Sequence, residues 1–353
     1  MYQYDKTFDR LSPRNSKPLQ VIEKAIYNPT TTDDPMMEQL SEANAATVFA
    51  TDSILSMMMC ANRSVYPWDI VVVRDGDKLY FDKRPDSAFD YVTVNENAVE
   101  PPLEVAEGTK DQINTAGQLS SEATFIIQNF SQQTLSEKGG KYEFQHANPF
   151  NVEDEDIESL ASRGYRYRKF DLTTEDDDEE VTLIVRTEVD GFIKTSGGDD
   201  QFITIKALNE FDSKSHSAID WRSKLDAQRG AVVATEMKNN SCKLARWAMQ
   251  SVLADAAFMK IGYDPCIPPF SLPFCGLSRL TGFSYVSRTT PRDNSKHVIL
   301  AVGTYKPRDF AAQMNVQLTN AWGIVRAIID ICRKRADGKY VLVKVLSPPF
   351  HQK

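Results

Sequence analysis

The sequence predicts an α+β domain in which mostly antiparallel sheets are flanked by helices. Two β-rich runs early in the chain are joined by Asp75-Gly76, a dipeptide typical of tight hairpin turns. Later strand and helix patterns alternate irregularly, without the regular spacing that indicates a parallel sheet. The 353 residues, of which 41% are hydrophobic, can bury a large core, and neither a repeat nor a clear linker divides them. We therefore expect one domain.

The start of the chain predicts an extended arm that lies on this domain. Residues 1–34 are polar and are interrupted by Pro13, Pro18 and Pro29. We place the domain itself at residues 35–349.

Two short helices should open the domain. The first begins at Pro35, with Thr32 or Asp33 as its cap, because proline is favoured in the first turn of a helix. The second covers Thr51–Cys60, where apolar residues recur at helical spacing. Each of these helices presents one apolar face to the core.

The rest of the chain divides according to the period of its apolar residues, which is two in strands and between three and four in helices. In chain order, the predicted elements are a hairpin at Asp69–Arg84, a helix at Leu119–Leu135, a polar loop over 136–160, strands at 165–172, Val181–Glu188 and Phe202–Ala207, a helix at 241–260, a strand at 297–305, a helix at 318–335 and a last strand at 340–347.

Composition excludes several classes of protein. A net charge of −8 argues against broad, unspecific coating of nucleic acid, so any contact with RNA should be local. The five cysteines and four histidines show no zinc-ligand spacing, and an odd number of scattered cysteines is not typical of a disulfide framework. We expect no cofactor, no structural metal and no membrane span, and we take the cytoplasm as the default location.

Two pairs of charged residues suggest a catalytic or binding site. Glu188 and Asp190 end the strand-like run LIVRTEVDG, and Glu236 and Lys238 lie in ATEMKNN. Residues two apart on a strand share a face. Metal-dependent nucleases need two or three carboxylates around the metal and a lysine near the nucleophile. The four side chains fit such a site if both segments are strands.

Other interpretations remain open on these residues alone. The pairs could be charged strand ends at a structural turn, or a ligand site remodelled from a nuclease. The strand after Asp190 carries Thr204-Ile205-Lys206, and Thr204 would stand where an acid is needed. If that strand is the partner, the catalytic set is broken, because a hydroxyl group offers no charge to a metal.

The chain resembles the family of the D subunit of eukaryotic translation initiation factor 3. The resemblance runs from about residue 2 to residue 345 with one interruption. The motifs that carry it are YDKTFDRLSPRNSKPL, TTTDDP, FATDSIL, RSVYPWDIVV, LYFDKR, NFSQQ, YRYRKF, LNEFDS, DWRSKLDAQRGAV, ATEMKNNS and KLARW.

This resemblance implies a domain with a fold similar to the decapping exonucleases. It implies that the domain binds the 7-methylguanosine cap of selected messenger RNAs without cutting it, and that Thr204 marks the loss of catalysis. The partners it implies are the capped 5′ end of messenger RNA, the other subunits of the factor and the small ribosomal subunit. No membrane is involved.

The resemblance also implies site residues. Ile127 and Gln128 depart from the family pattern, which has Asn and His there. The residues that match the family's cap-binding positions are Asp52, Val65, Tyr66 and Thr124.

Ligand chemistry adds further candidates. A methylated guanine is positively charged and favours an aromatic face with a carboxylate, whereas the triphosphate favours Lys or Arg. A packing or surface role is as strongly expected for any single candidate. The candidates for the base are Asp52, Tyr66, Trp68, Glu188 and Asp190, and those for the phosphates are Arg166, Arg168, Lys206 and Lys238. A small pocket lined by acids would also suit the negative net charge.

The long connection after the hairpin corresponds to the family's RNA gate, a segment that covers the RNA path. It carries Glu96 and Glu100 and neither Lys nor Arg, so we expect it to repel an RNA backbone. The gate residues are Ala88, Phe89, Asp90, Tyr91, Val92, Thr93, Val94, Asn95, Glu96, Asn97, Ala98, Val99, Glu100, Pro101 and Pro102.

One segment has no counterpart in the family. Residues 264–284, rich in proline, interrupt the match between IGY and YVSR, and we predict an atypical insertion there.

Overall fold

The structure is a computed structural model that describes residues 1–85, 87–102, 115–150, 160–175, 177, 179–210, 221–264 and 297–345. It confirms the α+β class. Helices pack on mixed sheets in which antiparallel strand pairs outnumber parallel ones among the described residues.

The strands of the described part are, in chain order, β1 (Tyr2–Tyr4), β2 (Lys17–Pro18), β3 (Val48–Thr51), β4 (Trp68–Asp75), β5 (Lys78–Asp82), β6 (Leu135–Lys141), β7 (Gly164–Asp171), β8 (Thr182–Val189), β9 (Gly191–Lys194), β10 (Asp200–Asn209), β11 (Phe258–Asp264), β12 (Val298–Ile299), β13 (Ala301–Tyr305) and β14 (Gly338–Lys344).

The helices are α1 (Pro35–Glu42), α2 (Asp52–Met59), α3 (Ala116–Gln133), α4 (Trp221–Asn239), α5 (Ser241–Leu253), α6 (Pro307–Gln313) and α7 (Leu318–Arg333). Within the described residues, none of them combines the length and the apolar character that crossing a membrane requires.

Two six-stranded sheets form the framework. The first has the order β13-β11-β10-β9-β1-β6 and the second the order β14-β4-β5-β3-β8-β7, while β12 and β2 form a short third sheet. The chain passes from the second sheet to the first where β8 ends and β9 begins, at Asp190. The site described below lies at this passage.

One large core joins the two sheets through α2 and α5. Leu183 of the second sheet and Ile261 of the first belong to the same cluster of buried residues as Leu55 and Leu244 of the two helices. Nearly every face of α5 is buried, as expected for a helix enclosed by its neighbours. Polar residues on α5 are therefore forced into internal contacts.

Several predicted elements are confirmed. β4 and β5 form the predicted hairpin, and Gly76 in its turn has a φ of +56°, which glycine adopts without strain. The helix predicted at Leu119–Leu135 is α3. The first helix does begin at Pro35, but its cap is Asp34, whose carboxylate accepts from the Met36 amide at 2.9 Å.

Other element predictions were wrong where strand partners come from distant sequence. The polar loop predicted over 136–160 contains β6, which pairs with β1 at the N-terminal end of the chain, more than a hundred residues earlier. The helix predicted at 241–260 ends at Leu253, and Phe258–Asp264 forms a strand parallel to β10. Residues 151–159 of the predicted loop lie outside the described residues.

The predicted N-terminal arm supplies both a strand and core residues. β1 lies between β9 and β6 in the first sheet, and Tyr4 and Phe8 are buried in a cluster with Phe130 of α3. The boundary at residue 34 stays a prediction. So does the insertion at 264–284, because apart from Asp264 its residues lie outside the described part of the chain.

Candidate functional site

Parallel pairing of β3 with β8 brings two carboxylates together. Thr51 lies opposite Arg186 in this register, so Asp52 follows directly at the start of α2. The Glu188 amide donates to Asp52 Oδ2 at 3.0 Å. Two residues later, Asp190 Oδ2 accepts a hydrogen bond from the Ile205 amide at 2.7 Å. Asp52, Glu188 and Asp190 thus converge where the chain passes between the sheets.

Cations hold this group of carboxylates. Arg163 Nη1 lies 2.7 Å from Glu188 Oε2, and Arg163 Nε lies 3.9 Å from Asp190 Oδ1. Lys206 Nζ lies 3.8 Å from Asp190 Oδ2, a looser contact. Arg163 therefore forms the closer ion pair with this group, whereas Lys206, with the looser contact, retains donors for a ligand.

The two neighbouring carboxyl groups have opposite pKa shifts. Burial and then the charge of Glu188 raise the pKa of Asp52 to about 7. Burial also acts to raise the pKa of Glu188, but Arg163 and Arg186 outweigh it and the pKa of Glu188 is lowered. At neutral pH Glu188 is ionised, and Asp52 is protonated in part of the molecules. A cationic ligand favours the ionised form of Asp52, so its binding can give the pair a second negative charge.

Asp52 and Glu188 line an open cavity of about 150 Å³, which we call the carboxylate cleft. Its acidic lining residues are Asp52, Asp90 and Glu188, and its basic lining residues are Lys83, Arg163, Arg186, Lys206, Lys243 and Arg246. The expectation of a pocket lined by acids is wrong, because cations outnumber acids here although the whole chain carries a net charge of −8. The cleft combines a carboxylate pair with a basic wall.

The stretch of residues 88–102, which we call the 88–102 segment, contributes residues 89–93 to one wall of the cleft. The Val92 amide donates to Thr124 Oγ1 at 3.0 Å, and Ser120 Oγ donates to the Val92 carbonyl at 2.6 Å. Thr124 thus lines the cleft as the resemblance implies, and it also holds this segment against α3.

The other end of the 88–102 segment is fastened where α4 meets α5. The Asn95 amide donates to Asn240 Oδ1 at 2.9 Å, and Asn240 Nδ2 donates to Asn95 Oδ1 at 3.0 Å. The Asn97 amide donates to the Asn239 carbonyl at 2.9 Å. Paired amide side chains of this kind give a defined but neutral attachment.

Glu96 does not face solvent. It is only 7% exposed and accepts from the Lys243 amide at 3.2 Å, while Lys243 Nζ donates to the Thr93 carbonyl at 2.9 Å. Burial raises the pKa of Glu96 and lowers that of Lys243 to about 8. The expectation that Glu96 repels an RNA backbone is therefore wrong, because the Glu96 carboxylate is buried and accepts a hydrogen bond inside the fold.

Val65 and Tyr66 lie apart from the carboxylates. Val65 is 37% exposed on the loop before β4, and Tyr66 lines a second cavity of about 210 Å³ together with Met57 and Trp68. We call this the Trp68 cavity. It shares Thr93 and Arg246 with the carboxylate cleft. Of the residues implied by the resemblance, Asp52 and Thr124 line the cleft and Tyr66 lines the Trp68 cavity, whereas Val65 lines neither.

Glu236 and Lys238 do not form the predicted strand pair. ATEMKNN lies in α4, where residues two apart point to different faces. Glu236 is buried against Asn240, with Oε2 2.8 Å from Asn240 Nδ2, and Lys238 is exposed. Placing Lys238 in the binding site was wrong.

Arg166 and Arg168 are also not available as a phosphate-binding row. Both donate to the last carbonyls around the end of α5, Arg166 to Ala254 and Arg168 to Leu253. Arginine side chains commonly satisfy carbonyls at helix ends in this way.

Thr204 is buried outside the lining of the cleft. Its hydroxyl lies 2.7 Å from Ser251 Oγ, which itself donates to the Trp247 carbonyl, so Thr204 is the donor of the pair.

No group of three acidic, cysteine or histidine side chains among the described residues is arranged to hold a metal ion.

Sequence reasoning missed much of the basic wall. Arg186, Lys243 and Arg246 interrupt the apolar runs LIVRTEV and CKLARWAMQ, and a charge within a buried run is a signal that could have identified them. Arg163 and Lys83 lie at strand ends and offered no such signal.

Similarity along nearly the whole chain shows the family to which it belongs. The sequence model described as eukaryotic translation initiation factor 3 subunit 7 matches residues 1–268 and 278–349. The chain belongs to this family. The gap between the two matched ranges, residues 269–277, lies inside the predicted insertion.

Curated relatives of this family carry the name of the D subunit of eukaryotic translation initiation factor 3. The protein of Sclerotinia sclerotiorum is 51% identical over 356 residues, covering 99% of this chain and 58% of that protein. The protein of Schizosaccharomyces pombe is 50% identical over 354 residues, with coverage of 99% and 58%. The chain thus spans a little over half the length of these relatives.

Solved structures similar to this chain include Rai1 of Candida albicans in complex with pU5 and Mn²⁺. The similarity covers 96% of this chain and 82% of that protein, with 12% sequence identity and a TM-score of 0.47. Dxo1 of K. lactis in complex with manganese gives 11% identity, coverage of 94% and 76%, and a TM-score of 0.41.

Proposed function

We propose that this chain acts in translation initiation by binding the 7-methylguanosine cap of a subset of messenger RNAs in the carboxylate cleft, without hydrolysing it. Membership of the initiation factor family supports a role inside that complex. Its partners would be the capped 5′ end, sibling subunits and the small ribosomal subunit in the cytoplasm, and no membrane.

The observation that carries this proposal is the pairing of Asp52 and Glu188 beside a basic wall. A 7-methylguanine ring carries delocalised positive charge, which an ionised carboxylate pair stabilises. The cap triphosphate needs cations within reach of the base, and Lys206 and Arg246 line the same cleft. The cleft thus matches both charges of the cap.

Binding without hydrolysis is supported by how the acids are used. Arg163 lies 2.7 Å from Glu188 and 3.9 Å from Asp190, and Asp190 also accepts a hydrogen bond from the Ile205 amide. A decapping nuclease needs these oxygens on a metal ion. In this chain Glu188 Oε2 is instead paired with Arg163.

The test is cross-linking of the chain to RNA that carries a labelled cap, with magnesium or manganese present. We expect cross-linking that a methylated cap dinucleotide competes and an unmethylated one does not, with no release of labelled nucleotide. Lys206→Met should lower cross-linking about tenfold. Lys238→Met is the matched control, because it removes the same charge from the exposed face of α4 and should leave cross-linking unchanged.

Two results would contradict the proposal. Metal-dependent release of the label that disappears in Glu188→Ala would identify a decapping nuclease. If neither the wild type nor a variant with a loosened 88–102 segment, Asn240→Ala, cross-links to the cap, the chain is a scaffold that does not contact RNA ends.

A further inference from the structure

Strand β14 is an edge of the second sheet. It pairs with β4 on one side, from Gly338 opposite Arg74 to Lys344 opposite Trp68, and no strand in the described part of the chain pairs with its other side. Alternate backbone N–H and C=O groups of an edge strand point away from its partner and can bond to another chain. We call this side of the strand the β14 edge.

One face of β14 is apolar and uncovered. Leu342 packs against the main core, and side chains alternate in direction along a strand, so Val341 and Val343 point to the opposite face. Val341, Val343 and the following Val345 are 57%, 55% and 75% exposed. They belong to none of the hydrophobic clusters found among the described residues.

The same face of the sheet is covered further from the edge. Lys339, Val73 and Tyr80 lie opposite one another across β14, β4 and β5, so Tyr80 points to the same side as the three valines. Tyr80 packs in a cluster with Met37 of α1. Helix α1 therefore covers this face at β5, whereas the valines of β14 lie outside its cluster.

The turn that leads from α7 into β14 is basic. Lys334, Arg335 and Lys339 are exposed there beside one acid, Asp337, and none of the three cations forms an ion pair within the described ranges. At the other end of the strand, Lys344 Nζ donates to the Ser64 carbonyl at 2.7 Å. Unpaired positive charge is thus concentrated at the N-terminal end of β14, on a chain whose net charge is −8.

This surface suits a single added strand better than a second copy of the chain. Stable pairs of globular proteins bury roughly 800 Å² on each partner, with roughly 20–30 residues a side. The uncovered apolar face consists of three valines. An added strand gains affinity from main-chain hydrogen bonds and specificity from alternate side chains, so it needs much less surface.

We propose that the β14 edge binds an extended segment of another protein, which adds to the second sheet as an antiparallel strand. Alternate apolar side chains of this segment pack on Val341, Val343 and Val345. Acidic residues follow its apolar run, because the C-terminal end of an antiparallel partner lies beside the basic turn. Neither β14 nor this turn lines the carboxylate cleft, so the interaction goes beyond the proposed function.

The probe is a fluorescent peptide in which valine and threonine alternate and a short run of glutamates follows. Its binding to the whole chain is measured by fluorescence anisotropy. Val343→Lys should weaken binding at least tenfold, because it places a charge where the apolar side chains of the peptide pack. Val21→Lys is the matched control and should have no effect. Val21 is 45% exposed on the N-terminal arm, between two residues whose amides donate to α3.

The position of the charges gives the second readout. A peptide with its glutamates ahead of the apolar run should bind at least threefold more weakly than the original probe. Replacing Arg335 and Lys339 together with Gln should remove most of this preference, because the cations that select the direction are gone. Equal binding of the two peptides to the wild type overturns the proposed direction and partner chemistry.

N-methylation of the peptide separates strand addition from a simple apolar contact, and it leaves the protein unchanged. Methyl groups on one set of alternate residues block the N–H groups that face β14, and those on the other set point to solvent. We expect one methylated peptide to lose binding at least tenfold and the other to bind within about twofold of the probe. Hydrogen exchange of the β14 amides should slow about tenfold with the unmodified probe.

Three results would overturn the proposal. The first is equal binding of the two methylated peptides, which excludes a main-chain ladder. The second is no binding of the probe at millimolar concentration. The third is dimerisation of the free chain in analytical ultracentrifugation that Val343→Lys abolishes, since the occupant of the edge would then be a second copy.

Discussion

The carboxyl group of Asp52 is buried next to Glu188, and its pKa of about 7 lies above its ordinary value of 3.8. The folded state therefore holds the proton more tightly than the unfolded chain does. Between about pH 4 and pH 7 the folded state binds more protons, so this group makes stability fall as the pH rises through that window.

Asp52→Asn should remove this loss. Asparagine keeps an acceptor for the Glu188 amide but cannot ionise. One pKa unit corresponds to about 1.4 kcal/mol. Between pH 4 and pH 8 we therefore expect the free energy of unfolding of the variant to rise by about 1–3 kcal/mol relative to that of the wild type. Urea denaturation at a series of pH values measures it. Asp309→Asn, an exposed position on α6, is the control, and an equal pH dependence in wild type and Asp52→Asn would contradict the prediction.

Proximity of individual side chains can be predicted where neighbours in sequence become neighbours in space. Glu188 and Asp190 share a strand end, and Lys206 lies on the next long strand, so their convergence could be foreseen. Lys238 was wrong because the two-residue spacing was assigned to a strand and the segment is helical. Arg163 was missed because its role depends entirely on acids that the fold brings to it.

At the scale of elements, two glycines differ in what surrounds them. A Cβ on Gly262 of β11 would lie 2.5 Å from Cζ of Phe130 on α3, whereas one on Gly323 of α7 would meet nothing within 4 Å. The first glycine permits close packing of a helix on a strand. The second lies on the exposed face of α7 and weakens that helix without any packing benefit.

Gly262→Ala should therefore lower the free energy of unfolding by about 1–3 kcal/mol, the usual cost of overpacking. Gly323→Ala should raise it by up to about 1 kcal/mol through helix propensity. The same denaturation measurement compares both. If the two variants change stability in the same direction, the packing of α3 on β11 is not as described.

The 88–102 segment depends on Asn240 for its attachment. Asn240→Ala removes both hydrogen bonds to Asn95 and the one to Glu236. A net loss of about 1–3 kcal/mol corresponds to a roughly 5- to 160-fold larger population of the locally opened state.

Hydrogen exchange at the amides of Asn95 and Asn97 tests this expectation. The control is Asn320→Ala, because Asn320 is an exposed residue of α7 whose side chain donates a hydrogen bond to Gln317 just before the helix. Faster exchange in Asn240→Ala alone is expected. Unchanged exchange in both variants would show that other contacts hold the segment.

At the scale of the whole molecule, the charge distribution limits how RNA can bind. The chain carries a net charge of −8, and the basic residues of the site are confined to the cleft. Contacts with the cap triphosphate alone would neutralise about three phosphates, which gives a salt slope of about −2 for a single strand.

Affinity for capped RNA should therefore fall roughly 20-fold between 50 and 200 mM salt. Lengthening the RNA should leave this slope nearly unchanged, because the acidic surface adds no phosphate contacts. Fluorescence anisotropy with capped RNAs of 5 and 20 nucleotides measures both quantities. A slope that steepens with length would indicate an extended RNA path.

The α+β class, the hairpin, most helices and the family can be predicted from the sequence, because periodicity, turn residues and motifs are local properties of a chain. The pairing of β1 with β6 across more than a hundred residues, the burial of Glu96, and the contact of Asp52 with Glu188 within a basic wall become visible only in the folded chain. Burial and pairing of charges depend on which distant segments meet. The carboxylate cleft and the Trp68 cavity are properties of that meeting.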